Sequence, residues 1–173
     1  LTFDDGPSSF TDRLLDCLEA NNAKATFFMV GKEIEYFSDQ VKRMETLGCE
    51  LGNHTYSHTD LATLAPEDMS AEIAGVDELL TELTGHGATV VRPPYGSVNS
   101  SVKETVGTPM ILWSIDTLDW ESQDPQKIVD TTLSQVEDGS IILMHDIFST
   151  TVDAAEILIP QLKKQGYEMV TVH

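Results

Sequence analysis

His54 and His58 stand four residues apart in the run His54-Thr55-Tyr56-Ser57-His58. Two imidazoles at that spacing can face one way on a helical turn and share a metal ion. Alone the pair says little, because the spacing arises often by chance. Thr2-Phe3-Asp4-Asp5-Gly6-Pro7 adds two adjacent carboxylates that close a β-rich run and enter a Gly-Pro turn. Aspartate before Gly-Pro is also ordinary turn chemistry. Neighbouring side chains there point different ways, however, so one carboxylate can bind a metal while the other faces a substrate. One Asp with two His leaves coordination positions open, which is the form of a catalytic zinc site.

Three further segments carry chemistry. Arg92-Pro93-Pro94-Tyr95-Gly96 offers a permanently charged donor suited to clamping a carboxylate. Its prolines stiffen the loop, so the N–H of Tyr95 can be held in one direction. In Leu143-Met144-His145-Asp146 a histidine with a carboxylate in reach is a tunable acid or base. Asp116-Thr117-Leu118-Asp119-Trp120 supplies two more carboxylates and an aromatic ring. Trp120, Leu143 and Met144 are candidates for an apolar slot.

These residues need elements to hold them. β-rich runs fall at 1–4, 25–30, 49–53, 89–92, 110–115, 140–144 and 168–172, with amphipathic segments between them. Ile34, Phe37, Val41, Met44 and Leu47 keep helical spacing, as do Met69, Ile73, Val76, Leu80 and Leu83. Pro66 suits a first turn, Gly85 a stop, and Asp124-Pro125 an N-cap and first position. Pro160 predicts a kink or restart in the last helical segment. Strands alternating with helices predict a parallel α/β fold, either an open sheet or a closed barrel. The polar residues lie at or just beyond the C-terminal ends of strands, which converge on one mouth in a barrel. An imperfect barrel is therefore expected, because seven strands is one short of the usual eight.

The chain has 173 residues, enough for one domain, with 29 acidic and 10 basic residues and a net charge of −19. A surface so negative argues against nucleic acid and anionic lipid as partners. No run approaches the length of a membrane span. Leu1, Thr2 and Phe3 already read as the inside of a strand, so the numbering is expected to begin at a trimmed domain edge. Cys17 and Cys49 form no CxxC pair and read as buried free thiols, with a disulfide left open.

Five motifs in order, TFDDGP, HTYSH, RPPYG, DTLDW and LMHD, resemble the polysaccharide deacetylases with a NodB-homology domain, carbohydrate esterase family 4. They span residues 2–146, and the whole of 1–173 is expected to be this catalytic domain, trimmed at both ends. The resemblance implies a distorted (β/α)7 barrel, matching the strand count. It implies that Asp5, His54 and His58 hold one divalent ion, zinc foremost, with cobalt or nickel as alternatives. Asp4 would be the general base, oriented by Arg92. His145 would be the general acid, supported by Asp119. The N–H of Tyr95 would face the oxyanion, and Trp120 and Leu143 would line the acetyl slot. Asp116 and Asp146 are expected only to support loops, and His86 and His173 to be structural or incidental.

The motif spacing is most similar to bacterial peptidoglycan deacetylases. It implies an N-acetylated glycan partner in the cell wall, and an extracellular or wall-associated location. Chitin or chito-oligosaccharide deacetylation, acetylxylan O-deacetylation and an inactive glycan-binding module are the alternatives. Against the last, every group needed for catalysis is present.

Overall fold

The computed structural model describes residues 1–173. Six parallel strands form one sheet: β1 (Thr2–Asp4), β2 (Thr26–Met29), β3 (Glu50–Asn53), β4 (Val90–Val91), β5 (Ile115–Asp116) and β6 (Ile142–His145). Their spatial order is β4-β3-β2-β1-β6-β5. The helices are α1 (Thr11–Ala20), α2 (Gly31–Tyr36), α3 (Ser38–Thr46), α4 (Pro66–Thr84), α5 (Ser100–Thr105), α6 (Asp119–Ser122), α7 (Pro125–Gln135) and α8 (Ser149–Lys164).

Side-chain alternation divides the sheet into two faces. Phe3, Phe27, Met29, Ile142 and Met144 join a core of 28 buried residues between sheet and helices. Burying each such side chain contributes about 1.5–3 kcal/mol. The other parity fills the barrel interior. There Thr2 and Asp4 both meet the guanidinium of Arg92, whose Cζ lies 4.1 Å from the Phe28 ring centroid. Phe28 leaves no room beside it: a Cβ on Gly52 would come within 2.6 Å of its ring.

The barrel closes without a complete ladder. Residues 109–111 pair with β4, through Val91 N to Pro109 O and Ile111 N to Val91 O, both 2.9 Å. Ser114 and Ile115 then donate to Ile141 O on the opposite edge. Between these two pairings, Ile111 O and Leu112 O accept from Arg92 Nε and Nη2 at 3.1 and 2.9 Å. A side chain thus supplies bonds that a strand would have supplied.

This corrects two expected strands. The 110–115 run is a strand only from Ile115, with an isolated bridge at Met110. The 168–172 run forms no strand. Its Met169 O accepts from Lys24 N, while Val172 N donates to Thr26 Oγ1 and Glu50 Oε2. Side-chain acceptors at the strand starts take the place of a ladder.

Two helical expectations also change. The 34–47 periodicity is broken at Phe37, whose φ of −124° and ψ of 39° separate α2 from α3. Both helices still bury the same face. α8 runs unbroken through Pro160. Pro160 is exposed, so water can satisfy the carbonyl left without its N–H. Gly85 ends α4 at φ 89°, and Asp124 caps α7 by accepting from Gln126 N and Lys127 N, as expected. Both cysteines are free thiols; Cys49 is buried and Cys17 half-buried.

Candidate active site

The strand ends bring Asp4, Asp5, His54, His58, Tyr95, Trp120, Leu143 and His145 around one cavity of about 450 Å³. Arg92 and Asp119 lie behind it, both fully buried. Every candidate proposed for the chemistry therefore stands in the cavity wall or directly supports it.

Asp4 and Asp5 are neighbours in different backbone states. Asp4 ends β1 in the extended conformation and points into the barrel, where its Oδ1 accepts from Arg92 Nη1 at 2.7 Å. Asp5 turns to φ 71° and presents its carboxylate to the histidines. Burial pulls the Arg92 guanidinium below its ordinary value, and the Asp4 carboxylate opposes that shift.

His54 follows β3, and its Nδ1 lies 2.6 Å from the Arg92 carbonyl. That contact assigns the proton to Nδ1 and leaves the Nε2 lone pair facing the cavity. The following loop is tightly held. Asn53 Oδ1 accepts from Thr55 N, and Gly31 N and Lys32 N donate to Thr55 O and Tyr56 O. Glu72 of α4 accepts from Ser57 N at 2.8 Å and from Ser57 Oγ at 2.7 Å. The loop bonds permit His58 at φ 58° and a β-branched Thr55 at φ 67°. Asp5, Tyr95 and Leu118 also have positive φ, so five of the seven non-glycine examples border this site. Each such conformation costs on the order of 1–3 kcal/mol, and the surrounding bonds offset it.

A cation fits three of these groups. His54 Nε2 and His58 Nε2 lie 3.3 and 3.1 Å from Asp5 Oδ1. Donors bound at about 2.0–2.2 Å with tetrahedral angles lie roughly 3.3–3.5 Å from one another. Asp5 Oδ1 is buried, yet it makes no hydrogen bond with either ring. All three donor atoms lie within 4.8 Å of one another, close enough for a single ion. Burial opposes the charge on Asp5, but the two imidazoles hold its carboxyl well below the usual carboxylate range.

His145 ends β6, the strand beside β1, where it is the register partner of Asp4. Its Nδ1 is 2.8 Å from Asp119 Oδ1, and its backbone N donates to Asp119 Oδ2 at 2.7 Å. Asp119 also accepts from Trp120 N and Thr151 Oγ1. Burial lowers the His145 pKa, but the hydrogen bond and charge of Asp119, with Asp5 and Asp4, push it up to about 9. Nε2 is left to give a proton into the cavity.

Tyr95 sits in a 3-10 turn at φ 61°. Its N–H bonds no protein acceptor, while its hydroxyl lies 3.3 Å from His58 Nδ1. Trp120 and Leu143 line the cavity. Met144 does not, because its parity on β6 places it in the outer core.

Asp116 lines the cavity too, which the expectation of a purely loop-supporting role missed. Its Oδ1 does support the loop, by accepting from Leu118 N. Trp113 is a second wall residue for which sequence spacing suggested no role. Asp116 was legible as a strand-end residue, whereas Trp113 lay inside the expected 110–115 run and carried no such signal. Asp146 is buried beneath Gly6 and accepts from Thr11 Oγ1 at 2.5 Å; burial pushes its pKa up to about 7. It supports the first loop and lies outside the cavity. His86 pairs with Glu45 at 3.2 Å, away from the site.

Fold and side chains together define a class: a parallel α/β barrel with a candidate three-donor cation site at its mouth and a carboxylate and an imidazole on neighbouring strands beside it. Residues 1–108 match the family described as Polysaccharide deacetylase, and the chain belongs to that family. Over 173 residues it is 38% identical to the Bacillus subtilis peptidoglycan-N-acetylmuramic acid deacetylase PdaC, with 99% of this chain covered. It is 40% identical, with the same coverage, to the Listeria monocytogenes peptidoglycan-N-acetylglucosamine deacetylase PgdA. The chain spans 37% of the length of each of these relatives. The solved structure of Bacillus subtilis PdaC superposes with a TM-score of 0.97 at 38% identity, covering 99% of this chain and 85% of that one. No helix is long and apolar enough to cross a membrane.

Proposed function

We propose that residues 1–173 are a catalytic domain that hydrolyses the N-acetyl group of N-acetylglucosamine in a cell-wall glycan, peptidoglycan foremost. The observation that carries this reading is the convergence of Asp5, His54 and His58 beside an Arg92-paired Asp4 and an Asp119-paired His145. Family membership and the named activities of PdaC and PgdA support it.

In this reading Asp5, His54 and His58 hold one divalent ion, zinc foremost, which supplies Lewis-acid activation of water and of the acetyl carbonyl. Asp4 is the general base. Its Oδ1 is engaged by Arg92, so Oδ2 takes the proton from the attacking water. The Tyr95 N–H faces the developing oxyanion. His145 Nε2 donates a proton to the leaving nitrogen, a step that matters because an unprotonated amine leaves poorly. Asp119 fixes the ring and keeps it charged at neutral pH. Trp120 and Leu143 line the acetyl slot. A glycan substrate in the wall implies an extracellular or wall-associated location.

The test is acetate release from N-acetylglucosamine oligomers and purified peptidoglycan, lost with a chelator and restored by zinc. Release only from acetylated xylan would replace the amide reading with an ester one. Metal binding without release from any of these substrates would leave a glycan-binding module.

A further inference from the structure

The Asp5–His58 edge of the site borders two cavities. The second, of about 500 Å³, shares Asp5 and His58 with the first and none of its other walls. A groove therefore continues past two of the three proposed ligands and away from the acetyl slot. Phe10, Val30, Phe37 and Ile147 give the second cavity an apolar surface, suited to the C–H face of a sugar ring.

Its charge is distinctive. Lys32, on α2, is the only lysine or arginine in the wall of either cavity. Its side chain has no carboxylate within ion-pair distance, whereas Arg13, Lys42, Arg43 and Arg92 are paired. Lys24, Lys103, Lys127, Lys163 and Lys164 are likewise unpaired, so what sets Lys32 apart is its place in the cavity wall. Glu33 lines the same cavity, so the groove is not broadly basic. Any preference for an anion there depends on one ammonium at one position.

We propose that this second cavity binds the sugar adjoining the one deacetylated, and that Lys32 binds a carboxylate carried by that sugar. The chemistry fits a muramic acid unit whose lactyl carboxylate is free of a stem peptide, and favours it over the neutral neighbours found in chitin. The assignment rests on the peptidoglycan reading above and deepens it. It also explains how a chain of net charge −19 can accept an anionic polymer: the repulsion is offset where the chain crosses the site.

The test compares an alternating N-acetylglucosamine–N-acetylmuramic acid tetrasaccharide with a neutral N-acetylglucosamine tetramer. Lys32→Ala is expected to lower the kcat/KM ratio of the anionic to the neutral substrate about fivefold, through KM. Lys32→Glu lowers it further, Glu33→Gln raises it, and added salt shrinks all three effects. A tetrasaccharide with its lactyl carboxylate reduced to the alcohol is insensitive to Lys32. Equal effects on both tetramers, or none, would overturn the assignment. Wild-type turnover of the neutral tetramer alone would instead overturn the peptidoglycan reading on which it rests.

Discussion

Asp4 and Asp5 differ by one position and by almost everything chemical. An extended backbone sends Asp4 inward to Arg92, while the positive φ of Asp5 turns its carboxylate toward two imidazoles. Their substitutions should separate accordingly. Asp4→Asn is expected to lower kcat by at least about 100-fold with zinc affinity retained. His54→Ala is expected to weaken zinc binding itself, read by calorimetric titration. Full activity in Asp4→Asn would place the base elsewhere. His145 gives a pH prediction with a definite sign. Its pKa is raised from 6.5 to about 9, so the Asp119 pair stabilises the fold below about pH 6.5 and that contribution is lost as pH rises through about 9. The proton needed for catalysis disappears over the same upper range, so kcat should fall there. A bound cation offsets the Asp5 and Asp4 share of the shift, leaving Asp119 as the main partner. Asp119→Asn should therefore move the alkaline limb of the kcat profile to lower pH; an unmoved limb would remove His145 as the acid.

Between elements, the decisive contact joins α4 to the loop carrying His58. Nothing in the HTYSH run makes its backbone adopt two positive φ values. Asn53, Gly31 and Lys32 hold its first half, and Glu72 holds the half next to His58 from 15 residues away by accepting both Ser57 N and Ser57 Oγ. Glu72→Ala should lower zinc affinity by about 10–100-fold, the range for groups that orient ligands from behind. The melting temperature of the metal-free protein should change little, and the rise on adding zinc should shrink. A large loss of metal-free stability with unchanged affinity would make the contact merely structural. The aromatic ring of Tyr56 reinforces this joint. A Cβ on Gly31 would come within 2.4 Å of that ring and 2.9 Å of the Tyr56 backbone, so α2 can approach the loop only through glycine.

For the whole molecule, Arg92 ties closure of the barrel to the chemistry at its mouth. One guanidinium bridges β1 through Thr2 and Asp4 and completes the irregular closing segment through Ile111 O and Leu112 O. Removing it leaves Asp4 as a buried charge without its partner. Arg92→Ala should destabilise the fold by about 3–5 kcal/mol, measured by urea unfolding. Arg92→Lys should recover little of this, since an ammonium cannot reproduce the flat fork that reaches both carbonyls and Asp4. A lysine variant as stable as the original would show that the closing segment stands without those bonds.

Much of this protein was readable in one dimension because short-range physics wrote it there. Strand-to-turn transitions placed Asp4, His54, Arg92 and His145 at one end of the fold, and helical periodicity, Gly85 and Asp124 marked where helices lie and stop. The acid, base and ligand candidates followed from residue type and motif. Other features needed the third dimension. Whether 168–172 is a strand depended on Glu50 and Thr26 supplying acceptors from distant segments. Whether Met144 or Leu143 faces the cavity depended on the parity of β6 against its neighbours. The membership of Asp116 and Trp113 in the wall, and the second cavity beside Lys32, likewise depend on which segments meet. Local preferences act over a few residues, whereas a shared cation, a closed barrel and a continuous groove are properties of chain segments far apart in sequence.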